Sequence, residues 1–290
     1  MTADDADAFV TTGRRGGSER LQELWDYRHL VTNLVIRDLK VRYKNSALGF
    51  LWSLVSPLLM MVVFWLVFSY FMAGPGTPPN YHVFVLVAIL PWNWFSAAVS
   101  GGIYSIVNNS ALINKVYFPR EVLPISIVTS EMINFLLAVP VLLGIILLSG
   151  IPVTLYALWL PVVIAIQFAF TLGIVLILAT ANVYYRDTGM IMDVVLLAWF
   201  FLTPIIYDIE RFRETYLPVI GVSAEKFMYY ANPMASLVST YRTTLYGSAT
   251  GPPGPPAYDF LFRTGLTAVL VLAIGYWAFQ RYSHRFGEDV

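Results

Sequence analysis

Long uncharged apolar stretches alternate with short charged segments along most of this chain. After the basic stretch 37–44, no Asp, Glu, Lys or Arg occurs before Lys115. Because about 20 apolar residues cross a bilayer core as a helix, the pattern predicts an all-α integral membrane protein. Six transmembrane helices are predicted, at about Leu48–Phe71, His82–Val107, Leu123–Leu148, Leu155–Val183, Met190–Tyr207 and Thr264–Gln280.

The residues before the first span divide into a tail and a helix. Residues 1–20 begin with several aspartates and lack the apolar core of a signal peptide, which predicts a disordered cytoplasmic tail. Residues 21–47 interleave apolar and charged side chains, which predicts an amphipathic interface helix on the inner membrane surface. An ordinary juxtamembrane basic patch is the alternative. Residues 48–290 then form the six-span domain.

The segment between the fifth and sixth spans is long, and its second half carries helix signals. Asn232 followed by Pro233 is typical of an N-cap with proline at the first helical position. Apolar residues recur at helical spacing up to Leu245, and Gly247 can end the helix. The pattern predicts short re-entrant outer helices before the last span.

Lysine and arginine set the orientation. With both termini in the cytoplasm, thirteen of the eighteen Lys and Arg residues lie on cytoplasmic segments. Such an excess marks the inner side of a membrane protein. Both termini are therefore predicted to be cytoplasmic.

Composition agrees and excludes several kinds of chemistry. Charged residues make up 12% of the chain, against about 25% in a typical soluble domain. The net charge is zero, which gives no general attraction to nucleic acid. There is no cysteine, and the three histidines lie far apart, so neither a catalytic residue nor a metal site is predicted. No phosphate-binding glycine loop of the GxxxxGK[ST] type occurs.

Two acidic residues fall inside predicted spans. Glu131 lies near the middle of the third span, and Asp193 lies about two turns into the fifth. Ionisable residues in a membrane are rare, and they serve either a proton relay or a buried structural role. Both interpretations stay open, and the structural one is favoured.

Aromatic residues are abundant in and beside the spans, at 16% of the chain. A glycan can slide over aromatic rings without being held at one site, whereas an interfacial aromatic belt is the alternative explanation. The candidates for a substrate pathway are Trp92, Trp94, Tyr104, Trp199, Phe200, Phe201 and Tyr207.

The cytoplasmic loop 108–120 combines charges with an aromatic–aromatic–proline core. Lys115 and Arg120 flank Tyr117, Phe118 and Pro119. Exposed aromatics beside charges are typical of protein contacts. The loop is therefore a candidate docking segment, and a plain connecting loop is the alternative.

Several short motifs, in this order along the chain, resemble those of type-2 ABC-transporter permeases that export polysaccharides. The resemblance begins near residue 25 and covers nearly all of the remaining chain. It is carried by Arg37–Lys40, Arg42–Lys44, Ser46, Leu48-Gly49, Leu51-Trp52, Pro57-Leu58, Leu90–Trp92, Leu112-Ile113, Lys115–Glu121, Leu123-Pro124, Tyr185–Asp187, Pro204–Tyr207, Asn232-Pro233 and Tyr241-Arg242.

The resemblance implies a homodimeric permease in a bacterial cytoplasmic (inner) membrane. Two separate ATP-binding subunits would carry ATP and Mg²⁺, so this chain needs no cofactor. The substrate would be a lipid-linked glycan such as O-antigen, teichoic acid or capsule, and membrane lipids would contact the interface helix.

The resemblance also implies roles for three sets of residues. The ATPase-coupling set is Asn114, Lys115, Tyr117, Phe118, Pro119, Arg120 and Glu121. The interface helix at the substrate entrance would use Arg37, Lys40, Arg42, Tyr43 and Lys44. The outer gate would use Asn232, Pro233, Tyr241 and Arg242.

Other classes of protein fit the sequence less well. An exporter of a drug or small lipid from the same superfamily is the nearest alternative, but the basic interface helix favours a substrate linked to lipid phosphate. A proton-coupled secondary transporter would depend on Glu131 or Asp193. A membrane enzyme would need a clustered polar active site, and the sequence shows none.

Overall fold

The computed structural model describes residues 22, 25–43, 52–71, 78–113, 115, 116, 118–209, 223–248, 251–283 and 286. The predicted tail at residues 1–20 lies outside the described residues. So do Lys44, Asn114 and Tyr117 among the predicted site residues. Arg42 and Tyr43 lie within a described helix, but their side chains are outside the description.

The regular structure in these ranges is helical. In chain order the α-helices are α1 Arg28–Tyr43, α2 Trp52–Leu66, α3 Tyr81–Ile103, α4 Ser110–Ile113, α5 Val122–Leu148, α6 Leu160–Tyr184, α7 Thr188–Leu202, α8 Ala224–Ala231, α9 Pro233–Leu245 and α10 Tyr258–Ser283. A π-helical turn, Val67–Phe71, extends α2, and 3₁₀ turns form at Val107–Asn109 and Leu155–Trp159.

Four helical segments are long and apolar enough to cross a bilayer, by length and composition. They are α3, α5, the continuous segment Leu155–Tyr184, and α10. They coincide with the second, third, fourth and sixth predicted spans. With its π-helical turn, α2 runs from Trp52 to Phe71, 15 and 5 residues that together match a bilayer core in length. At 15 residues, α7 is shorter than a bilayer core requires. The membrane-protein prediction is thus confirmed, with four of the six spans at the predicted places.

The fifth apolar segment ends earlier than its hydropathy suggests. Met190–Tyr207 was predicted as one span, but α7 stops at Leu202 and Thr203 has extended backbone angles. Thr203 precedes Pro204, and the residue before a proline is disfavoured in helical conformation. The prediction was therefore wrong at its outer end, where Thr203–Tyr207 leave the helix.

Helix α3 lies at the centre of the fold. Sixteen of its 23 residues are buried, and it packs against α5, α6, α7 and α9. Helices α6 and α10 cross closely at Gly173 and Gly275. A Cβ atom on Gly275 would lie 2.3 Å from the carbonyl oxygen of Gly173. Small residues permit such close helix crossings in membrane proteins.

Helix α1 packs on α5 through Leu34 and Val35, which are buried. Within the predicted interface segment 21–47, Arg28–Tyr43 form this helix. Its polar face is mixed, because Ile36 and Val41 are exposed together with Lys40.

Candidate functional site

The loop between α3 and α5, which the sequence predicts to be cytoplasmic, has an exposed tip at Lys115 and Val116 and a more buried return at Phe118 and Pro119. Lys115 and Val116 are exposed at the tip, with 53% of Val116 accessible. Phe118 is buried against the core, and Pro119 is partly buried. Of the described part of the predicted coupling segment, only the tip is therefore well placed to meet a partner.

The last two residues of the predicted coupling set face the chain's own last helix. Arg120 donates a hydrogen bond from Nη1 to the carbonyl oxygen of Ser283, and its guanidinium carbon lies 5.9 Å from the centre of the Phe286 ring. The side-chain amide of Gln280 donates to Oε1 of Glu121, which is buried. This amide also donates to the Tyr276 hydroxyl at 2.9 Å. Sequence reasoning missed Gln280.

Helix α1 reaches the same loop through Arg37. Its side chain pairs with Asp38 at 2.9 Å and donates from Nη1 to Oδ1 of Asn109 at 3.4 Å. Lys40, one turn further along α1, is exposed. The predicted interface helix and the predicted coupling loop are thus in direct contact.

The predicted pathway aromatics divide into two groups. Trp92 and Trp94 are buried in the core of the subunit, at 4% and 2% exposure. Trp92 packs on Phe200 with ring centres 5.8 Å apart, whereas Trp94 stacks on Phe135 of α5 at 5.3 Å. Neither tryptophan lies on the surface of the chain.

The more exposed pathway candidates lie on α7, in the segment that follows it, and just after α3. Phe201 is 59% exposed, whereas Trp199 and Tyr207 are partly buried. Tyr104, just after α3, is 37% exposed. It contacts the start of α7, since a Cβ atom on Gly189 would meet its hydroxyl oxygen at 1.8 Å.

Asn232, between α8 and α9, joins these two helices to the end of α7. Its Oδ1 accepts hydrogen bonds from the backbone of Met234 at 3.0 Å and from Trp199 Nε1 at 2.8 Å. Its Nδ2 donates to Oγ1 of Thr203 at 3.0 Å. The predicted N-cap with proline at the first position is therefore confirmed. At the other end of α9, Gly247 has a φ of +96°, as a glycine after a helix end permits.

Arg242 and Tyr241 are buried rather than exposed at an opening. The Arg242 guanidinium stacks on Phe84 with 3.5 Å between its carbon and the ring centre. It donates to the carbonyl oxygen of Ile205 at 2.9 Å. Burial lowers the pKa of Arg242 to about 10, and Asp208 opposes this shift, so the side chain stays charged at neutral pH. Tyr241 is 1% exposed.

The two acidic residues inside the predicted spans have opposite surroundings. Glu131 is buried, and Nδ2 of Asn134 donates to its Oε2 at 3.1 Å. Asp193 is exposed on α7. It shares this surface with Met190, Val194 and Leu197, which are all more than 60% exposed.

The sequence is similar to known proteins along nearly its full length. The family described as "ABC-2 type transporter" matches residues 29–246. A protein of Myxococcus xanthus named O-antigen export system permease protein RfbA is 39% identical over 270 residues, which cover 93% of this chain and 98% of that protein. A protein of the same name from Klebsiella pneumoniae is 30% identical over 266 residues, which cover 91% and 95%.

Proposed function

The chain belongs to the ABC-2 type transporter family, and we propose that it is the membrane-spanning permease subunit of an exporter of lipid-linked polysaccharide. The full-length similarity to two proteins whose names state O-antigen export carries this proposal. The chain is then a transport subunit and not an enzyme.

The energy for export comes from a separate partner in this proposal. Two ATP-binding subunits hold ATP and Mg²⁺ and dock on the cytoplasmic loop. The exposed pair Lys115 and Val116 supports this, because a charge beside an exposed apolar side chain at a loop tip suits a protein contact. Phe118 anchors the loop from inside and does not reach the partner.

A second copy of the chain covers α7. Asp193 is exposed on this helix beside apolar side chains, and an acidic residue facing lipid costs about 3 kcal/mol at the centre of a span. Contact with another subunit or with an aqueous path avoids that cost. A two-fold axis along α7 places Phe201 and Tyr104 beside a path between the subunits. Trp92 and Trp94 then support the wall of this path from behind.

In this arrangement α2 and α7 complete six spans, with both termini in the cytoplasm of a bacterial cell and the spans in its cytoplasmic membrane. Helix α1 lies at the inner membrane surface, where Arg37 and Lys40 meet lipid phosphates at the substrate entrance. On the outer side, α8 and α9 form a gate, and Asn232 and Arg242 attach it to the end of α7.

Purification of the tagged chain from its own host in mild detergent tests the proposal. A co-purifying subunit with a phosphate-binding loop and ATPase activity, lost when Lys115→Glu and Val116→Asp are combined, is the expected result. Arg281→Gln, at an exposed cytoplasmic position, serves as the control. Recovery of the chain alone, even after cross-linking, contradicts the proposal and returns attention to Glu131 and Asp193 as a proton relay.

The substrate is tested in cells from which this chain has been depleted. Lipid-linked glycan is expected to accumulate at the inner face of the membrane while surface glycan is lost. Accumulation of a lipid without glycan indicates the alternative, an exporter of small lipids.

A further inference from the structure

The last helix, α10, is bonded at its inner end to the return of the cytoplasmic loop. Gln280 donates to Glu121, and Arg120 donates to the carbonyl oxygen of Ser283. The ring of Phe286 lies beneath the Arg120 guanidinium and also packs edge-on against Phe279 of α10, with ring centres 5.3 Å apart. Arg120 and Glu121, at the end of the loop return, are thus attached to α10 by two hydrogen bonds, and Arg120 also makes a cation–π contact with Phe286, just after the end of this helix.

The same helix is bonded at its outer end to α8 and α9. Oγ1 of Thr264 donates to Oγ of Ser236 on α9 at 2.8 Å, and both residues are buried. Arg263 donates to the carbonyl oxygen of Tyr229 on α8. Its guanidinium carbon lies 4.1 Å from the centre of the Tyr230 ring. Both outer helices are therefore attached to the first turns of α10.

Between these two ends α10 is continuous and tightly supported. It runs for 26 residues without proline, which is about 39 Å at 1.5 Å per residue. Its middle is pressed on α6, where Gly275 and Gly173 leave no room for a Cβ atom. Because no proline kinks it, such a helix can carry a displacement from one end to the other.

We propose that α10 is the mechanical link that carries movement of the cytoplasmic loop to the outer helices, and that Gln280 is the positioning residue that couples the loop to it. This inference rests on the proposed function, in which an ATPase moves the loop. When the loop tip moves, Arg120 and Glu121 pull the inner end of α10, and Thr264 and Arg263 displace α9 and α8 at the other end.

The loop also continues directly into α5, which offers a second route for the movement. Phe135 of α5 contacts Tyr241 of α9, with ring centres 6.0 Å apart. This contact is apolar and lies in the middle of α5, whereas α10 is hydrogen-bonded at both ends. A substitution at Gln280 leaves the route through α5 intact and therefore distinguishes it from the route through α10.

The absence of cysteine from the chain permits a clean labelling experiment. Ala231 is exposed at the end of α8, so Ala231→Cys places a single thiol on an outer helix. The complex of the full chain with its ATPase is reconstituted in liposomes. The rate of reaction with a membrane-impermeant maleimide is then compared without nucleotide and with ATP and vanadate.

We expect the parent chain, with Gln280 and Glu121 unchanged, to give a nucleotide-dependent change in labelling rate. Gln280→Glu should strongly reduce this change, although the bond from Arg120 to the carbonyl oxygen of Ser283 remains. That variant places two carboxylates side by side in a buried position, which breaks the contact. Combining Gln280→Glu with Glu121→Gln restores an amide–carboxylate hydrogen bond in the opposite direction and should restore the change. Arg281→Gln, one residue along the same helix and exposed, is the matched control and should respond as the parent does.

Two results overturn the inference, namely an undiminished nucleotide response in Gln280→Glu or no recovery in the double variant. If Gln280→Glu does not insert, Gln280→Met replaces it, since methionine keeps the side-chain volume and removes both hydrogen bonds.

ATP hydrolysis by the complex is measured in parallel. If the parent chain binds no ATPase, the proposed function fails. If the parent chain binds an ATPase and shows the nucleotide-dependent change in labelling, and the Gln280 variants show the same change, only the inference fails.

Discussion

The guanidinium of Arg242 stacks on the ring of Phe84, 3.5 Å from its carbon to the ring centre, and both side chains are buried. The contact joins α9 to the central helix α3. The same guanidinium donates to the carbonyl oxygen of Ile205, in the segment where α7 has already ended. One cationic side chain thus links α9, α3 and the segment that follows α7.

Replacement of Arg242 by lysine should destabilise the protein although the charge is kept. An ammonium cannot stack as a plane on Phe84 while donating to Ile205, and a desolvated cation–π contact contributes about 2 kcal/mol. We expect Arg242→Lys to have a lower midpoint of thermal unfolding in detergent, as measured by tryptophan fluorescence. Arg281→Lys, at an exposed position, should leave the midpoint unchanged. An equal midpoint for both variants would show that the stack contributes nothing.

Asn232 allows the helix cap and the cross-link to α7 to be separated. Asn232→Asp keeps an oxygen that caps α9 but loses the amide donor to Thr203 and Leu202, whereas Asn232→Ala loses both functions. Loss of an N-cap costs about 1 kcal/mol, so the alanine variant should unfold at the lower temperature. Identical midpoints for the two variants would contradict a contribution from the cap.

The fluorescence of Trp199 reports on the same site. Its indole nitrogen donates to the Asn232 oxygen, an acceptor that remains in Asn232→Asp and is absent in Asn232→Ala. The emission spectrum should therefore shift in the alanine variant more than in the aspartate variant. Subtraction of a Trp199→Phe background isolates this signal from the other tryptophans.

The crossing of α6 and α10 predicts a strict size limit at Gly275. A leucine there must displace the backbone of Gly173, because even its Cβ would lie 2.3 Å from a carbonyl oxygen. Gly275→Leu should strongly reduce the yield of monodisperse protein, and Gly275→Ala should reduce it less. Gly144→Ala on α5, where nothing lies within 4 Å of the added atom, is the control for helix propensity. Normal yield of the leucine variant would mean that the helices can separate freely.

The contact between Gly189 and Tyr104 tests the proposed path. A methyl group at residue 189 would displace the Tyr104 ring, since the added atom would lie 1.8 Å from the hydroxyl oxygen. Gly189→Ala should lower the rate of glycan export, and adding Tyr104→Leu should recover part of it by making space. Gly101→Ala, whose added atom would lie 3.2 Å from a side-chain methyl carbon of Ile127, is the control because it meets a much milder contact. An unchanged export rate in Gly189→Ala would remove Tyr104 from the path.

Local signals were sufficient for some features of the site. The N-cap at Asn232 and the helix end before Gly247 depend on neighbours within a few residues, and both are confirmed. The early end of α7 could also have been predicted from Pro204, but the prediction followed the uninterrupted apolar stretch to Tyr207. Hydropathy averages over such a stretch and does not register a single backbone restriction.

Other features depend on residues far apart in the chain. Gln280 and Glu121 are separated by 159 positions, and no local pattern distinguishes this glutamine from any other polar residue near the end of a span. The burial of Trp92 and Trp94 likewise could not be predicted from the sequence. An apolar stretch has the same sequence pattern whether it faces lipid, a substrate path or another helix.

The sequence by itself determined that this protein is a helical membrane protein, where four of its spans lie and which family it belongs to. Long uncharged segments must form helices in lipid, because every backbone polar group has to be satisfied within the segment. Only the tertiary structure decided which side chains face inward, which loop residues stay exposed and how α10 joins the two ends of the fold. In a membrane both the core and the outer surface are apolar, so hydrophobicity identifies the helices but does not orient them.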